Sequence, residues 1–150
     1  MITVSDTRTL ETDSGGDTVV RLATGAGHTI VDRKIVPDEP DQMKPLLQQY
    51  RDRDDVDAVL LTGGTGLGSR DQTFETVSRL ITKPMPGYGE LFRMLSFDEI
   101  GAAAMLSRAV GGLMDGTVVL TMPGSRAAVQ LAMGKLILPE LGHLLREARR

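Results

Sequence analysis

The chain contains no cysteine. Its chemistry therefore includes neither a disulfide framework, nor a thiolate nucleophile, nor a cysteine-held zinc. Histidine is nearly as scarce, with only His28 and His143, far apart in the sequence. Little remains for metal–imidazole binding, so any metal is expected to be a hard cation on carboxylates. An excess of positive charge is also missing: 17 Lys and Arg stand against 20 Asp and Glu, a formal charge of -3. That balance offers no basic face, and nucleic acid is not an expected partner. No apolar run approaches the ~18 residues that cross a bilayer. The opening Met1-Ile2-Thr3-Val4-Ser5-Asp6 has neither the charged nor the long apolar segment of a secretion signal. The reading is a cytoplasmic protein with no membrane partner.

What the chain does have is an ordinary globular balance, 41% apolar and 25% charged over 150 residues. That length reads as a single domain, residues 1–150, large enough to bury a real core. Ile2 to Val4 reads as a strand, followed by a polar loop and a helix from about Asp17 to Thr24. The β-branched run His28 to Val36 reads as the second strand. Asp41 is placed as the cap of a helix with apolar positions Met43, Leu46, Leu47 and Tyr50. Val56 to Leu61 is the third strand, and Phe74, Val77, Leu80 and Ile81 have helical spacing after it. Lys83 to Glu90 reads as a breaker, with helices over Leu91–Leu95 and Asp98–Met105. Leu106–Met114 and Thr117–Met122 read as strands joined by the favoured hairpin turn Asp115-Gly116. Helices follow, with a break at Pro139. Alternating strands and helices imply an α/β fold of three layers, α/β/α, with a mostly parallel central sheet.

The most informative stretch is Thr62-Gly63-Gly64-Thr65-Gly66-Leu67-Gly68-Ser69-Arg70-Asp71, at the end of the third strand. Four glycines in six positions free the backbone to turn, and the helix expected at Gln72 would aim N–H groups and a positive dipole end at an anion. The loop is not a P-loop, because Ser69-Arg70 stands where Lys-Ser/Thr belongs. Nor is it a dinucleotide fingerprint, since Ser69 replaces the third glycine. In a parallel sheet, ligands bind beyond the strands' carboxyl ends. Four loops should gather there: Ser5-Asp6, Pro37-Asp38-Glu39, the glycine loop with Asp71, and Pro123-Gly124-Ser125.

Asp71 has a simple reading as a helix cap and Asp38 as a turn former. Together, beside a phosphate loop, they also make a Mg²⁺ site of the usual kind, in which one or two carboxylates share the ion with substrate phosphates. Arg70, Arg93 and Arg108 are candidate phosphate clamps. Glu90 is either a further site residue or a helix start.

Thr62-Gly63-Gly64-Thr65-Gly66 with Arg70-Asp71, Pro86-Gly87-Tyr88-Gly89-Glu90, Leu106-Ser107-Arg108 and Met122-Pro123-Gly124-Ser125 occur in an order and spacing that resemble the MoaB/Mog family of molybdenum cofactor biosynthesis proteins. Phe92 to Phe97 is most similar to the MoaB branch. The resemblance implies the molybdopterin-binding-domain type of fold and a molybdopterin adenylyltransferase, which transfers AMP from Mg-ATP to molybdopterin and releases pyrophosphate. It implies catalytic and Mg²⁺-holding roles for Asp38 and Asp71. Phosphate and pterin binding would fall to Thr62, Gly63, Gly64, Thr65, Gly66, Ser107, Arg108, Pro123, Gly124 and Ser125, with Ser5, Asp6, Arg70 and Glu90 as further candidates. It also implies a homo-oligomer, a trimer or hexamer. Two alternatives stay open: a catalytically silent molybdopterin carrier of the same fold, and a competence-damage-type nucleotide pyrophosphate hydrolase.

Overall fold

Strand propensity and helix periodicity combine into one six-stranded sheet covered on both faces. The computed structural model describes all residues from Met1 to Arg150. The strands are β1 (Ile2–Val4), β2 (Lys34–Val36), β3 (Ala58–Thr62), β4 (Lys83–Pro84), β5 (Gly111–Met114) and β6 (Thr117–Met122). Their spatial order is β2-β1-β3-β6-β5-β4. The pairs β1–β2, β1–β3 and β3–β6 are parallel, whereas β5–β6 and β4–β5 are antiparallel. The helices are α1 (Ser14–Gly25), α2 (Pro40–Arg51), α3 (Thr73–Leu80), α4 (Pro86–Ile100), α5 (Arg126–Ala132) and α6 (Leu138–Ala148).

The period of two along the central strands divides the core. Leu60, Val118, Leu120 and Met122 face one way and pack with Val19, Phe92, Val129 and Leu141 of the larger helical layer. Val59, Leu61 and Val119 face the other way, against Met43, Leu47, Tyr50 and Val77 of α2 and α3. Three layers result, with the mostly parallel sheet in the middle, as expected. The Asp115-Gly116 turn also forms as expected. Both residues have positive φ, 49° and 100°, which is the twist a two-residue hairpin demands.

Several boundaries differ from the sequence reading, each for a local reason. Helix α1 begins at Ser14, before Asp17, because the Asp13 carboxylate accepts the Gly16 N–H and caps it. Strand β2 keeps only the last three residues of His28–Val36. Its partner β1 begins at Ile2, which pairs with Lys34, so the residues before Lys34 run past the strand that would pair them. Glu39 occupies the cap position of α2, and Asp41 lies in its first turn. The segment around Pro86 is not a breaker: Pro86 opens α4, where a missing N–H does no harm, and the helix runs on to Ile100. Residues Gly101–Leu106 form a 3₁₀ turn, and the strand expected from Leu106 starts at Gly111. Ahead of Pro139 the chain loosens into a π-turn, Met133–Ile137, and then continues as α6. Proline at 139 withholds the N–H that Lys135 would accept in a regular helix. No helix is long and apolar enough to cross a membrane.

Candidate functional site

Strand β1 has β2 on one side and β3 on the other, so the connection from β1 to β2 and the connection from β2 to β3 run in opposite directions across the sheet, and a crevice opens at the carboxyl ends. The four expected loops meet at this crevice. Gly63 and Gly64 both have positive φ, 99° and 66°, and turn the chain back at the end of β3. A side chain at Gly63 would collide with the Val4 carbonyl, and one at Gly64 with the Asp38 carboxylate and the Thr73 hydroxyl. Only glycine lets both neighbours approach. The Gly63 N–H donates to the Met122 carbonyl at 3.0 Å, and the Thr62 hydroxyl to the Pro123 carbonyl at 3.1 Å, which ties the loop to Pro123-Gly124-Ser125. Ser125 caps α5 through the Ala128 N–H at 3.2 Å.

At the α3 N-terminus two of the backbone N–H groups are already taken by the protein itself. The Gln72 N–H donates to Asp38 Oδ1 at 2.9 Å, and the Thr73 N–H to the Gly64 carbonyl at 3.0 Å. Asp38, from the loop after β2, therefore does the capping that Asp71 was expected to do. Asp71 instead turns back and accepts the Gly68 N–H at 2.7 Å.

The two carboxylates border the glycine loop in different states. Asp38 is only 6% exposed, and its Oδ2 faces Gly64 without a hydrogen-bond donor. Burial, together with the negative charges of Asp71 and Asp6, pushes its pKa up to about 6, against the Gln72 N–H and Arg70, which favour ionisation. Asp6 fixes this loop by accepting the Asp38 N–H at 3.0 Å. Arg70 holds both Asp6 oxygens at 3.0 Å and reaches Glu39 at 3.4 Å, and it keeps Asp6 below the usual carboxylate range. These groups are exposed, so their pairing positions loops more than it stabilises the fold.

Arg108 stands behind the loop. Its guanidinium donates to the Gly66 carbonyl from Nε at 2.9 Å and to the Asp71 carbonyl at 3.1 Å, pairs with Glu75, and lies 5.1 Å from the centre of the Phe74 ring. Its donors set the shape of the glycine loop. Ser107 lines a cavity of about 320 Å³ in front of the loop, with Gly64, Thr65, Gly66, Asp71 and Pro123-Gly124-Ser125. The far wall of that cavity is apolar and comes from Phe92, Ile100, Ala104 and Leu106, with Ser96 among them. Sequence reasoning missed Phe92 and Ser96. The signal was an i, i+4 row, Tyr88-Phe92-Ser96-Ile100, hidden by treating Pro86 as a breaker. Glu90 lies on the exposed face of α4 and lines none of the main cavities.

A second cavity of about 300 Å³ lies on the other side of Gly63, lined by Thr3, Ser5, Arg8, Asp13, Gly15, Thr62, Gly124 and Ser125, with Val4 its one apolar residue. An open groove of about 890 Å³ adjoins it and shares Ser5 and Arg8.

A family model described as "Probable molybdopterin binding domain" matches residues 1–143. The chain is 49% identical over 148 residues to the Molybdenum cofactor biosynthesis protein B of Halalkalibacterium halodurans, covering 98% of this chain and 87% of that protein. A crystal structure of a Molybdenum cofactor biosynthesis protein B superposes with a TM-score of 0.96 at 50% identity, covering 99% and 93% of the two chains. The chain belongs to the MoaB/Mog family of molybdenum cofactor biosynthesis proteins. A third relative shares the MoaB fold with a TM-score of 0.88 at 34% identity over 99% of this chain and 94% of its own: the tungsten cofactor synthesizing protein MoaB from Pyrococcus furiosus.

Proposed function

We propose that this MoaB/Mog protein adenylylates molybdopterin, transferring AMP from ATP to the terminal phosphate of the pterin and releasing pyrophosphate. The observation that carries the reading is that Asp38 and Asp71, from segments far apart in sequence, both reach the glycine loop: Asp38 lies against Gly64, and Asp71 lines a cavity with one apolar wall. Such a wall suits a flat heterocycle, and the loop beside it suits a phosphate.

In the reaction, an oxygen of the pterin phosphate attacks the α-phosphorus of ATP, and the bond from that phosphorus to the oxygen bridging to the β-phosphorus breaks. The electron pair leaves with pyrophosphate. A phosphate monoester is already largely a dianion near neutral pH, its second pKa being ~6, so no strong base is needed. That fits a site without histidine. What the reaction needs is alignment of two anions and neutralisation of their charge. The loop N–H groups of Thr65 and Gly66 orient phosphate, and the buried Phe92 ring excludes water from one side.

The donor set fits Mg²⁺. Asp38 and Asp71 are two hard oxygen donors, Asp38 Oδ2 is free of hydrogen bonds, and no third protein ligand completes a closed cage. This leaves coordination for substrate phosphates. When bound, Mg²⁺ supplies charge neutralisation on the phosphates. The raised pKa of Asp38 has the same meaning: a buried carboxylate among like charges gains by meeting a cation.

A homo-oligomer belongs to the same proposal. Leu91, Met94, Phe97 and Ile100 form an exposed apolar row on α4, continued by Met105 and Leu106. A contiguous patch of this kind marks a contact surface. Phe97→Glu should lower the oligomer size seen by light scattering.

Pyrophosphate release from ATP and Mg²⁺, with and without molybdopterin, tests the activity. Pterin-dependent release is the expected result. No release, despite measurable pterin binding, would replace the enzyme with a carrier.

A further inference from the structure

We infer that Arg8 and the polar cavity it shares with the open groove form the subsite for the pyrophosphate portion of the nucleotide, an inference that rests on the adenylylation reading. The glycine loop divides two unlike spaces. The one in front has the apolar wall of Phe92 and Leu106, whereas the one behind Gly63 presents hydroxyls and backbone around a single apolar residue, Val4. Gly124 and Ser125 border both, so a phosphate chain passing them enters the polar space directly. An adenylyl donor needs this division, because its leaving group is a polyanion that gains nothing from an apolar wall.

Four cations line the groove that continues from this cavity: Arg8, Arg33, Lys34 and Arg70. Three of them have carboxylates within reach. Arg33 pairs with Asp13 and Asp17, Lys34 lies 3.9 Å from Asp32, and Arg70 holds Asp6 and Glu39. Arg8 has none. Its one hydrogen bond runs from Nη1 to the Thr12 carbonyl at 2.7 Å, which leaves the rest of the fork to an anion. The turn that carries it is fixed, since Ser5 Oγ accepts the Thr7 N–H at 3.2 Å and the Arg8 N–H at 3.1 Å. Asp13, the one carboxylate lining the cavity, is already engaged by the Thr3 hydroxyl, Arg33 and the Gly16 N–H, so its charge does not bar a phosphate.

The test is calorimetric binding of inorganic pyrophosphate, ATP and AMP, each with Mg²⁺, to the wild type, Arg8→Gln and Arg8→Lys, with molybdopterin binding alongside. Arg8→Gln should weaken pyrophosphate and ATP by about 10-fold or more, as loss of a charge-assisted clamp does. Arg8→Lys should recover part of that loss, and AMP and molybdopterin should bind all three alike. Arg8 is exposed, so the variants should fold, and equal melting temperatures check this. Unchanged pyrophosphate affinity in Arg8→Gln, or none in the wild type, overturns the subsite. The two readings fail separately: Arg8-dependent pyrophosphate binding without pterin-dependent turnover removes the transferase and keeps the subsite, and normal turnover with Arg8-independent binding does the reverse.

Discussion

Asp38 and Asp71 bring the same side chain to the same loop, and the fold gives them opposite conditions. Asp38 comes from the loop after β2, is buried, caps α3 with one oxygen and leaves the other facing Gly64. Asp71 belongs to the loop itself, is half-buried, and closes a short turn by accepting the Gly68 N–H. The first carboxylate is held in place at a cost in ionisation; the second shapes the loop that surrounds it. A residue pair with one proposed function can thus have two structural roles, and substitutions at the two positions should differ in sign as well as size.

The largest expected effect removes the space the comparison depends on. Gly64→Ala places a methyl group against Asp38 and Thr73 at a φ of 66°, and should lower stability by about 2–4 kcal/mol and activity with it. Urea denaturation would measure the first and pyrophosphate release the second. Wild-type stability would mean that the loop relaxes around the extra carbon and that the close approach of Asp38 matters little.

Asp38→Asn should stabilise the protein without metal. The folded pKa of about 6 lies above the ordinary 3.8, so the folded state holds the extra proton between those values and loses stability as pH rises through them. The penalty is complete above about 6 and absent below about 3.8. In EDTA, the variant should gain up to about 3 kcal/mol at pH 8 and nothing at pH 3.5, read as a pH series of denaturation midpoints. A gain that persists in acid would point to a cause other than the buried charge.

In pterin-dependent turnover, Asp38→Asn and Asp71→Asn should each lose at least ~10-fold, about 1.4 kcal/mol of barrier. The smallest effect belongs to folding at Asp71: Asp71→Ala forfeits the Gly68 contact and should lose about 0.5–1 kcal/mol of stability. Opposite signs for the stability changes at pH 8, with equal signs for activity, would sharpen the contrast. A matching loss of stability at both positions would break it.

Most of the architecture could be read from the chain because its signals are local. The β-branched strands, the Asp115-Gly116 turn and the glycine loop declare themselves within a few residues. Four loops collecting at the carboxyl ends followed from the alternation of elements. What stayed hidden depends on partners distant in sequence. Nothing near Asp38 shows that it caps a helix 34 residues on. Arg8 becomes notable only when the carboxylates beside Arg33, Lys34 and Arg70 are placed. Arg108 looked like a phosphate clamp, yet its donors go to Gly66 and Asp71 carbonyls that no spacing rule would pair with it. Helix α4 was obscured for a different reason, since Pro86 ends some helices and opens others.

The most direct test of the proposed metal-holding pair is a double-variant cycle on pterin-dependent pyrophosphate release, with the wild type, Asp38→Asn, Asp71→Asn and the double variant at saturating ATP and Mg²⁺. Two carboxylates that hold one ion should act as a unit, so the double variant should fall no further than the worse single one. Losses that multiply would show that the two aspartates act independently, and would contradict a shared Mg²⁺.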